Sequence, residues 1–189
     1  MRIWYLNPRF YDKKGILAQW NEGIILKNII INNTKKGGWV NHPFSKRVTR
    51  YKKRQQRKII NTYLNNIREY GVKHYKIKFQ EKYIEQEYID NNLRVPILPE
   101  QVEKDYEDAL TKMEKRDMKI YDSIKDIEFK SDINNLTVMA PFYIEQDVNV
   151  YKAKLSAKYK KDCDECVYKL AGTEIDTSLV DKWEEKRKK

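Results

Sequence analysis

The sequence predicts an all-α fold: a compact single domain built round a central buried helix with two further long helices, plus a charged C-terminal extension. Apolar residues recur at helical spacing in three long segments. Only six Gly and five Pro interrupt the 189 residues, and 12% of them are aromatic, which supplies material for a core. The length corresponds to about one domain. We place this helical domain at residues 1–155 and the extension, of unknown role, at residues 156–189.

The first helix is predicted over residues 12–33, with Asp12 as its N-cap. Its apolar residues occupy nearly the whole circumference, so we expect the helix to be central and enclosed. They are Ile16, Leu17, Trp20, Ile24, Ile25, Ile29 and Ile31. Glu22 lies in the middle of this helix, and the adjacent Gly23 is expected to leave the backbone approachable from one side.

Two more helices are predicted, over residues 44–70 and 100–123. The second ends at Gly71, and its inward face contains Val48, Tyr51, Ile59, Ile60, Tyr63, Leu64 and Ile67. The third follows a proline-rich stop at residues 96–99, and its inward face contains Val102, Tyr106, Ala109, Leu110, Met113 and Ile120. Residues 72–98 have an irregular pattern, and residues 128–155 are expected to form a loop with a short apolar run.

Positive charge is concentrated in the first 80 residues. They hold 19 of the 39 Lys and Arg residues but only three of the 28 acidic residues, Asp12, Glu22 and Glu69. Such a field favours a polyanionic partner, nucleic acid above all. Two alternatives remain. The protein could be generally basic because its organism's coding favours Lys, Asn and Ile. Its partner could also be a membrane surface, but the basic run lacks the strongly apolar face that membrane binding requires.

The basic run of residues 46–58 contains no acidic residue. Its cations surround a predicted helix, so at least one face can follow the phosphates of a nucleic acid, which supply affinity without reading the sequence. They are Lys46, Arg47, Arg50, Lys52, Lys53, Arg54, Arg57 and Lys58. The alternative is a solvated charged face.

Glu22 is the residue in the first helix that most needs explanation. A carboxylate among apolar residues is costly to bury without a partner. It is therefore either in a structural salt bridge or at an accessible cavity with a tuned pKa. Because Glu22 would also repel the phosphates that the surrounding cations attract, we favour a catalytic use.

The α-amine of Met1 is a second candidate group. An α-amine has a pKa of roughly 7.7 to 8, so a sizeable fraction is neutral and nucleophilic near pH 7. Amines attack carbonyl or sugar carbons to form Schiff bases. Nearly every protein has such an amine, so this feature gains weight only beside a recognisable motif.

The sequence resembles the pyrimidine dimer DNA glycosylase and AP lyase family, of the phage endonuclease V type. The matching segments are Met1-Arg2-Ile3-Trp4, residues 11–22 (YDKKGILAQWNE), residues 38–43 (GWVNHP) and, more weakly, the helix from Leu98 to Asp117. The similarity runs in order to about residue 155. The tail after residue 156 has no counterpart that we can place.

This resemblance implies an enzyme that acts on ultraviolet-damaged duplex DNA. By family inference, the α-amine of Met1 attacks C1′ of the damaged nucleotide, Glu22 assists, and β-elimination then nicks the strand. Arg2 would lie against the phosphate beside the lesion. The initiator methionine is expected to be retained because Arg2 is bulky. No metal and no cofactor are implied, and the partner is double-stranded DNA bound by a monomer.

Departures from the family pattern concern DNA contacts. Asn21 stands where the family often has an arginine, so one expected phosphate or sugar contact is either lost or supplied by Lys14. Lys112 and Arg116 match basic DNA-facing positions of the family. His42 either caps the next helix or touches DNA, and Trp20 and Trp39 are expected in the core rather than stacked on bases.

Other classes of function stay open. A noncatalytic nucleic-acid-binding or packaging protein could have the same scaffold, and a related nuclease would require a divalent metal. No segment reaches the roughly 20 apolar residues of a membrane span, and the N-terminus lacks a signal peptide pattern, so we expect an intracellular protein that is not secreted. Cys163 and Cys166 fit a reducing compartment better than a zinc or redox site.

Overall fold

The computed structural model describes residues 6–31, 45, 48–49, 51–97, 99–127 and 141–144. Their helices are α1 (Lys13–Ile31), α2 (Lys53–Tyr75), α3 (Pro99–Arg116) and α4 (Met118–Ile124). Short 3₁₀ turns span Pro8–Phe10, Glu81–Tyr83 and Gln86–Tyr88. The all-α class is confirmed. The sequence did not predict one feature, a parallel pair of three-residue strands, β1 (Val95–Ile97) and β2 (Phe142–Ile144).

The core forms where α1 packs along α2. Ile16, Leu26 and Ile30 from α1 are fully buried, and all seven predicted inward residues of the second helical segment are buried with them. Trp20 is also in the core, as predicted, with its ring centroid 4.7 Å from that of Phe79. Burying an aliphatic or aromatic side chain contributes about 1.5 to 3 kcal/mol, so this helix pair is the main source of stability in the described part of the chain.

Helix α1 is not enclosed on every side, which corrects the prediction of a central buried helix. Leu17 is 37% exposed and Ile25 is 41% exposed. Both lie on the face that also carries Lys14, Ala18 and Asn21, which are exposed. The apolar residues on this face misled the sequence interpretation, because composition alone does not show whether a neighbour covers a helix face.

Helix α2 has different ends from those predicted. It begins at Lys53, after the buried residues Val48 and Tyr51, and it continues past Gly71 to Tyr75. A Cβ atom at Gly71 would lie 2.6 Å from the Phe79 ring, so glycine is needed there for close packing and not as a helix stop. The stop is Lys76, which takes the left-handed conformation with φ of 53°.

The third predicted helix is two helices in the structure. Asp117 separates α3 from α4: its φ of −152° is extended, and its side chain accepts a hydrogen bond from the backbone N–H of Ile120 at 3.3 Å. An aspartate can act as an N-cap wherever the chain leaves the helical conformation. The predicted inward residues Val102, Ala109 and Met113 are buried.

Candidate active site

Glu22 lies half-buried on α1, next to Gly23, where α1 approaches α2 closely. A Cβ atom at Gly23 would lie 2.6 Å from Leu64 Cδ2 and 3.0 Å from Tyr63 Cε1. Gly23 is therefore a packing residue, which corrects the expectation that it leaves the backbone open to a ligand. This tight contact fixes the position of the helical turn that carries Glu22.

Two buried tyrosines stand beside Glu22. The Tyr63 hydroxyl donates a hydrogen bond of 2.8 Å to Gln19 Oε1, one helical turn before Glu22. Burial, followed by the negative charges of Glu22 and Asp105, raises the pKa of Tyr63 well above its ordinary value. The pKa of Tyr11 is raised by burial and then by Tyr63, Asp105 and Glu22. Both tyrosines are therefore neutral at any working pH.

Helix α3 brings a cation to the same place. Lys112 is half-buried, and burial together with the neighbouring Arg116 lowers its pKa, while Asp108, Glu22 and Asp12 act in the opposite direction. Lys112 is thus within electrostatic range of Glu22, although the two residues are 90 positions apart in the chain. The structure thus places Lys112, a predicted DNA-binding residue, within electrostatic range of the predicted catalytic carboxylate, and Arg116, a second one, within range of Lys112.

The exposed face of α1 extends from this site. Lys14 and Asn21, two further predicted DNA-binding residues, are exposed on it and lie two turns apart. Asp12 anchors the start of the helix, because its Oδ1 accepts a hydrogen bond of 2.7 Å from the backbone N–H of Gly15. A ligand on this face would meet Lys14 and Asn21 beside the half-buried Glu22.

The basic run divides into two parts in the structure. Lys53 and Arg54, both predicted to bind DNA, are exposed at the start of α2. The Lys53 ammonium donates a hydrogen bond of 3.0 Å to the Ile30 carbonyl at the end of α1. Arg54 forms no side-chain hydrogen bond or ion pair with the part of the chain that the structure describes.

The other part of the run is neutralised by residues 81–90, which we call the acidic segment. Arg57 pairs with Glu85 at 3.1 Å, and Lys58 pairs with Asp90 at 2.8 Å. Further along α2, Arg68 pairs with Glu81. The sequence interpretation overlooked these pairs because no acid is near Arg57 or Lys58 in the chain.

The acidic segment also neutralises a buried lysine. Lys27 Nζ lies 2.6 Å from Glu85 Oε1 and donates hydrogen bonds to Asn61 Oδ1 and to the Tyr83 carbonyl, at 3.1 and 2.8 Å. Burial acts to raise the pKa of Glu85, but the hydrogen bond and charge of Lys27 and the charge of Arg57 outweigh it, so the net pKa is lowered. The network joins α1, α2 and the acidic segment.

Several predicted site residues lie outside the described residues. These are Met1, Arg2, His42, Arg47 and Arg50, together with Trp39, Cys163 and Cys166. Their predicted roles therefore stay predictions.

Sequence reasoning missed three residues near Glu22: Tyr11, Tyr63 and Asp105. Tyr63 is on the correctly predicted inward face of its helix, so its burial was foreseen, but its polar contact was not. Asp105 is 8% exposed on α3, and its charge contributes to the raised pKa of both tyrosines. An aspartate in a charged helix carries no sequence signal that would separate it from solvent-facing acids.

The described ranges contain neither a candidate metal site nor a membrane-spanning helix. No group of three or more His, Cys, Asp or Glu side chains there could hold a metal ion. None of the helices in those ranges is long and apolar enough to cross a bilayer.

Comparison with known proteins supports the family resemblance over the first part of the chain. Residues 1–81 match the family model described as pyrimidine dimer DNA glycosylase. This match includes α1, with Glu22, and the whole of α2, whereas α3 lies beyond it. No curated protein and no solved structure matches the chain.

Proposed function

Because residues 1–81 match the pyrimidine dimer DNA glycosylase family, we propose that this protein is a DNA repair enzyme. It excises damaged bases, cyclobutane pyrimidine dimers first among them, from double-stranded DNA. It then nicks the strand at the resulting site by β-elimination, as an AP lyase. It works as a monomer.

The position of Glu22 is the observation that carries this proposal. Glu22 is half-buried, within electrostatic range of two neutral tyrosines and of Lys112, and an exposed helix face lies beside it. A carboxylate that is partly removed from water interacts more strongly with charge that develops on a substrate. Here that charge is positive, as on a sugar ring that is losing its base.

In the proposed reaction the α-amine of Met1 is the nucleophile. Its lone pair attacks C1′ as the glycosidic bond breaks, and the base leaves with the bonding electrons. Ring opening gives an imine between the amine and C1′. Glu22 stabilises the positive charge on the sugar and then accepts the C2′ proton, so that the C3′–O bond breaks and the 3′ phosphate leaves.

Access to C1′ requires the duplex to open. Extruding a nucleotide costs a few kcal/mol, and less where a lesion has already weakened stacking. We propose that phosphate contacts supply this energy. The residues are Arg2, Lys14, Asn21, His42, Arg47, Arg50, Lys53, Arg54, Lys112 and Arg116.

Borohydride trapping tests the proposal. With irradiated or abasic duplex DNA, the wild-type protein should form a covalent adduct that survives denaturation, and it should do so in EDTA. Glu22→Gln should bind the same DNA but lose at least about a hundredfold in single-turnover rate. Acetylation of the α-amine should abolish the adduct.

The outcomes separate the proposal from its alternatives. DNA binding without an adduct would indicate a noncatalytic binding or packaging protein, for which the departure at Asn21 provides a reason. Cleavage that EDTA stops would indicate a metal-dependent nuclease. Full activity of Glu22→Gln would contradict the assignment of this residue.

A further inference from the structure

The hydroxyl of Tyr11 is a buried donor without an acceptor in the part of the chain that the structure describes. Tyr11 is only 2% exposed, and no hydrogen-bond partner for its hydroxyl is found among the described residues. Other tyrosine hydroxyls in the same region are satisfied: Tyr63 donates to Gln19 at 2.8 Å, and Tyr75 donates to the Tyr11 carbonyl at 2.7 Å. The backbone of Tyr11 is thus held in place while its hydroxyl proton is uncommitted.

Three helices carry polar groups within electrostatic range of this side chain. In order of decreasing effect on Tyr11, these are Tyr63 on α2, Asp105 on α3 and Glu22 on α1. Tyr63 and the two carboxyl groups all have oxygens that can accept a hydrogen bond. Since Tyr11 stays neutral, its hydroxyl always has a proton to donate.

An unsatisfied buried donor costs about 1 to 3 kcal/mol. Phenylalanine would fill the same space without that cost. The hydroxyl of Tyr11 therefore costs stability in the structure described. We infer that it forms a hydrogen bond in another state of the site, such as the one with substrate bound. Groups of this kind are typical of functional sites.

We propose that Tyr11 is a positioning residue for Glu22, and that its hydroxyl donates a hydrogen bond to the Glu22 carboxylate while the damaged sugar is bound. This inference rests on the proposed catalytic role of Glu22. The hydrogen bond holds one carboxylate oxygen, so that the other is directed at the sugar. It also stabilises the ionised form of Glu22.

The sign of the pH effect follows from that hydrogen bond. A donor to the ionised form makes protonation harder, so its loss moves the acid limb of the pH–rate profile to higher pH. Asp105 and Tyr63 act electrostatically on Tyr11, and Lys112 is within electrostatic range of Glu22 and of Asp12. None of these other groups changes in Tyr11→Phe, so a shift of the limb reports on the hydroxyl alone.

The experiment compares Tyr11→Phe with Tyr106→Phe, in which another buried tyrosine loses its hydroxyl. The Tyr106 hydroxyl donates to the Ile124 carbonyl at 2.6 Å, and Tyr106 lies in the electrostatic range of Asp126 and Tyr121. We expect Tyr11→Phe to keep or raise the melting temperature, to keep DNA affinity, and to lower the single-turnover trapping rate about tenfold. We expect Tyr106→Phe to lower the melting temperature and to keep the trapping rate of the folded protein.

A second replacement keeps the test decisive if Tyr11→Phe folds poorly. In place of Tyr11, 3-fluorotyrosine retains the hydroxyl and makes it a stronger donor, so the acid limb should move to lower pH. Wild-type rate and an unshifted acid limb in both Tyr11 variants would overturn the role of Tyr11 and leave the proposed function intact. If the wild-type protein forms no adduct, or if Glu22→Gln is fully active, the proposed function and this inference both fail.

Discussion

The first turn of α2 and its second turn carry the same kind of charge in different surroundings. Arg54 is exposed and forms no ion pair with the described residues. Arg57, three residues later, pairs with Glu85 and also lies over the Tyr88 ring, with 5.3 Å between its Cζ and the ring centroid. Lys58 pairs with Asp90. The acidic segment thus pairs with the second turn of the helix and leaves the exposed Arg54 of its first turn without an ion pair to the described residues.

This difference shows that a basic run is not one functional unit. Cations that already have carboxylate partners gain less from a phosphate, because the existing pair must be given up first. Those of the first turn can release counterions on binding DNA without such a loss. We therefore assign phosphate binding to the first turn of α2, with Arg54, and a structural role to the paired residues Arg57 and Lys58. Three predictions test that division.

The largest effect is expected on stability, at the paired end. Glu85→Gln removes the charge that neutralises the buried Lys27, which keeps only its two hydrogen bonds to neutral oxygens. We expect a loss of about 2 to 3 kcal/mol in the free energy of unfolding, measured with urea. Glu87→Gln is the matched control, since Glu87 is exposed in the same segment. Equal effects of the two changes would contradict the structural role of Glu85.

The next effect is expected on DNA binding, at the open end. Arg54→Gln should weaken duplex binding about tenfold and reduce the slope of log affinity against log salt by about 0.9, as for the loss of one phosphate contact. Arg57→Gln makes the same chemical change three residues away, where the cation is already paired with Glu85, which also pairs with Lys27. It should leave the slope unchanged. The division of the helix would be wrong if both variants lost the same slope.

The smallest effect is expected in acid. Burial acts to raise the pKa of Asp90, but the hydrogen bond and charge of Lys58 and two backbone N–H groups outweigh it, so the net pKa is lowered. A carboxyl with a lower pKa in the folded state contributes stability above its ordinary pKa, and this contribution is lost as pH falls through the folded value.

Asp90→Asn should therefore be less stable than wild type at pH 7, by under about 1 kcal/mol after allowance for solvent screening. The two proteins should converge as pH falls below the ordinary range of an aspartate, near 4. Urea unfolding at several pH values measures this. A difference that stays constant down to pH 2 would exclude the ionic contribution.

Most of the helical architecture could be predicted from the sequence. Inward residues such as Ile60, Leu64 and Val102 were identified by spacing alone, because a helix that packs on one side repeats its apolar positions every three to four residues. Helix ends were predicted less well. Glycine is a common residue just past the end of a helix, so Gly71 was predicted to end α2. Instead it packs closely against Phe79, a contact that the spacing of residues along the chain does not reveal.

The candidate site was predicted in part for the same reason. Glu22 stands out in the sequence because burying a carboxylate among apolar residues is costly. The motif of residues 11–22 indicates a catalytic role that would explain why it is there. The electrostatic interaction of Glu22 with Lys112 could not be foreseen from the sequence. Nor could the burial of the Tyr11 hydroxyl without a hydrogen-bond partner among the described residues. Both depend on how α1, α2 and α3 pack together. The pairs formed by Arg57 and Lys58 depend on the fold of residues 81–90 in the same way.

The sequence by itself determined which segments are helical, where positive charge accumulates and which carboxylate lies in the middle of α1. These are properties of neighbours along the chain. Tertiary structure alone decided which cations stay open to a polyanion, which face of α1 stays exposed and which hydroxyls surround Glu22. Electrostatic energies and burial depend on distances in space, and packing sets those distances between residues that lie far apart in the sequence.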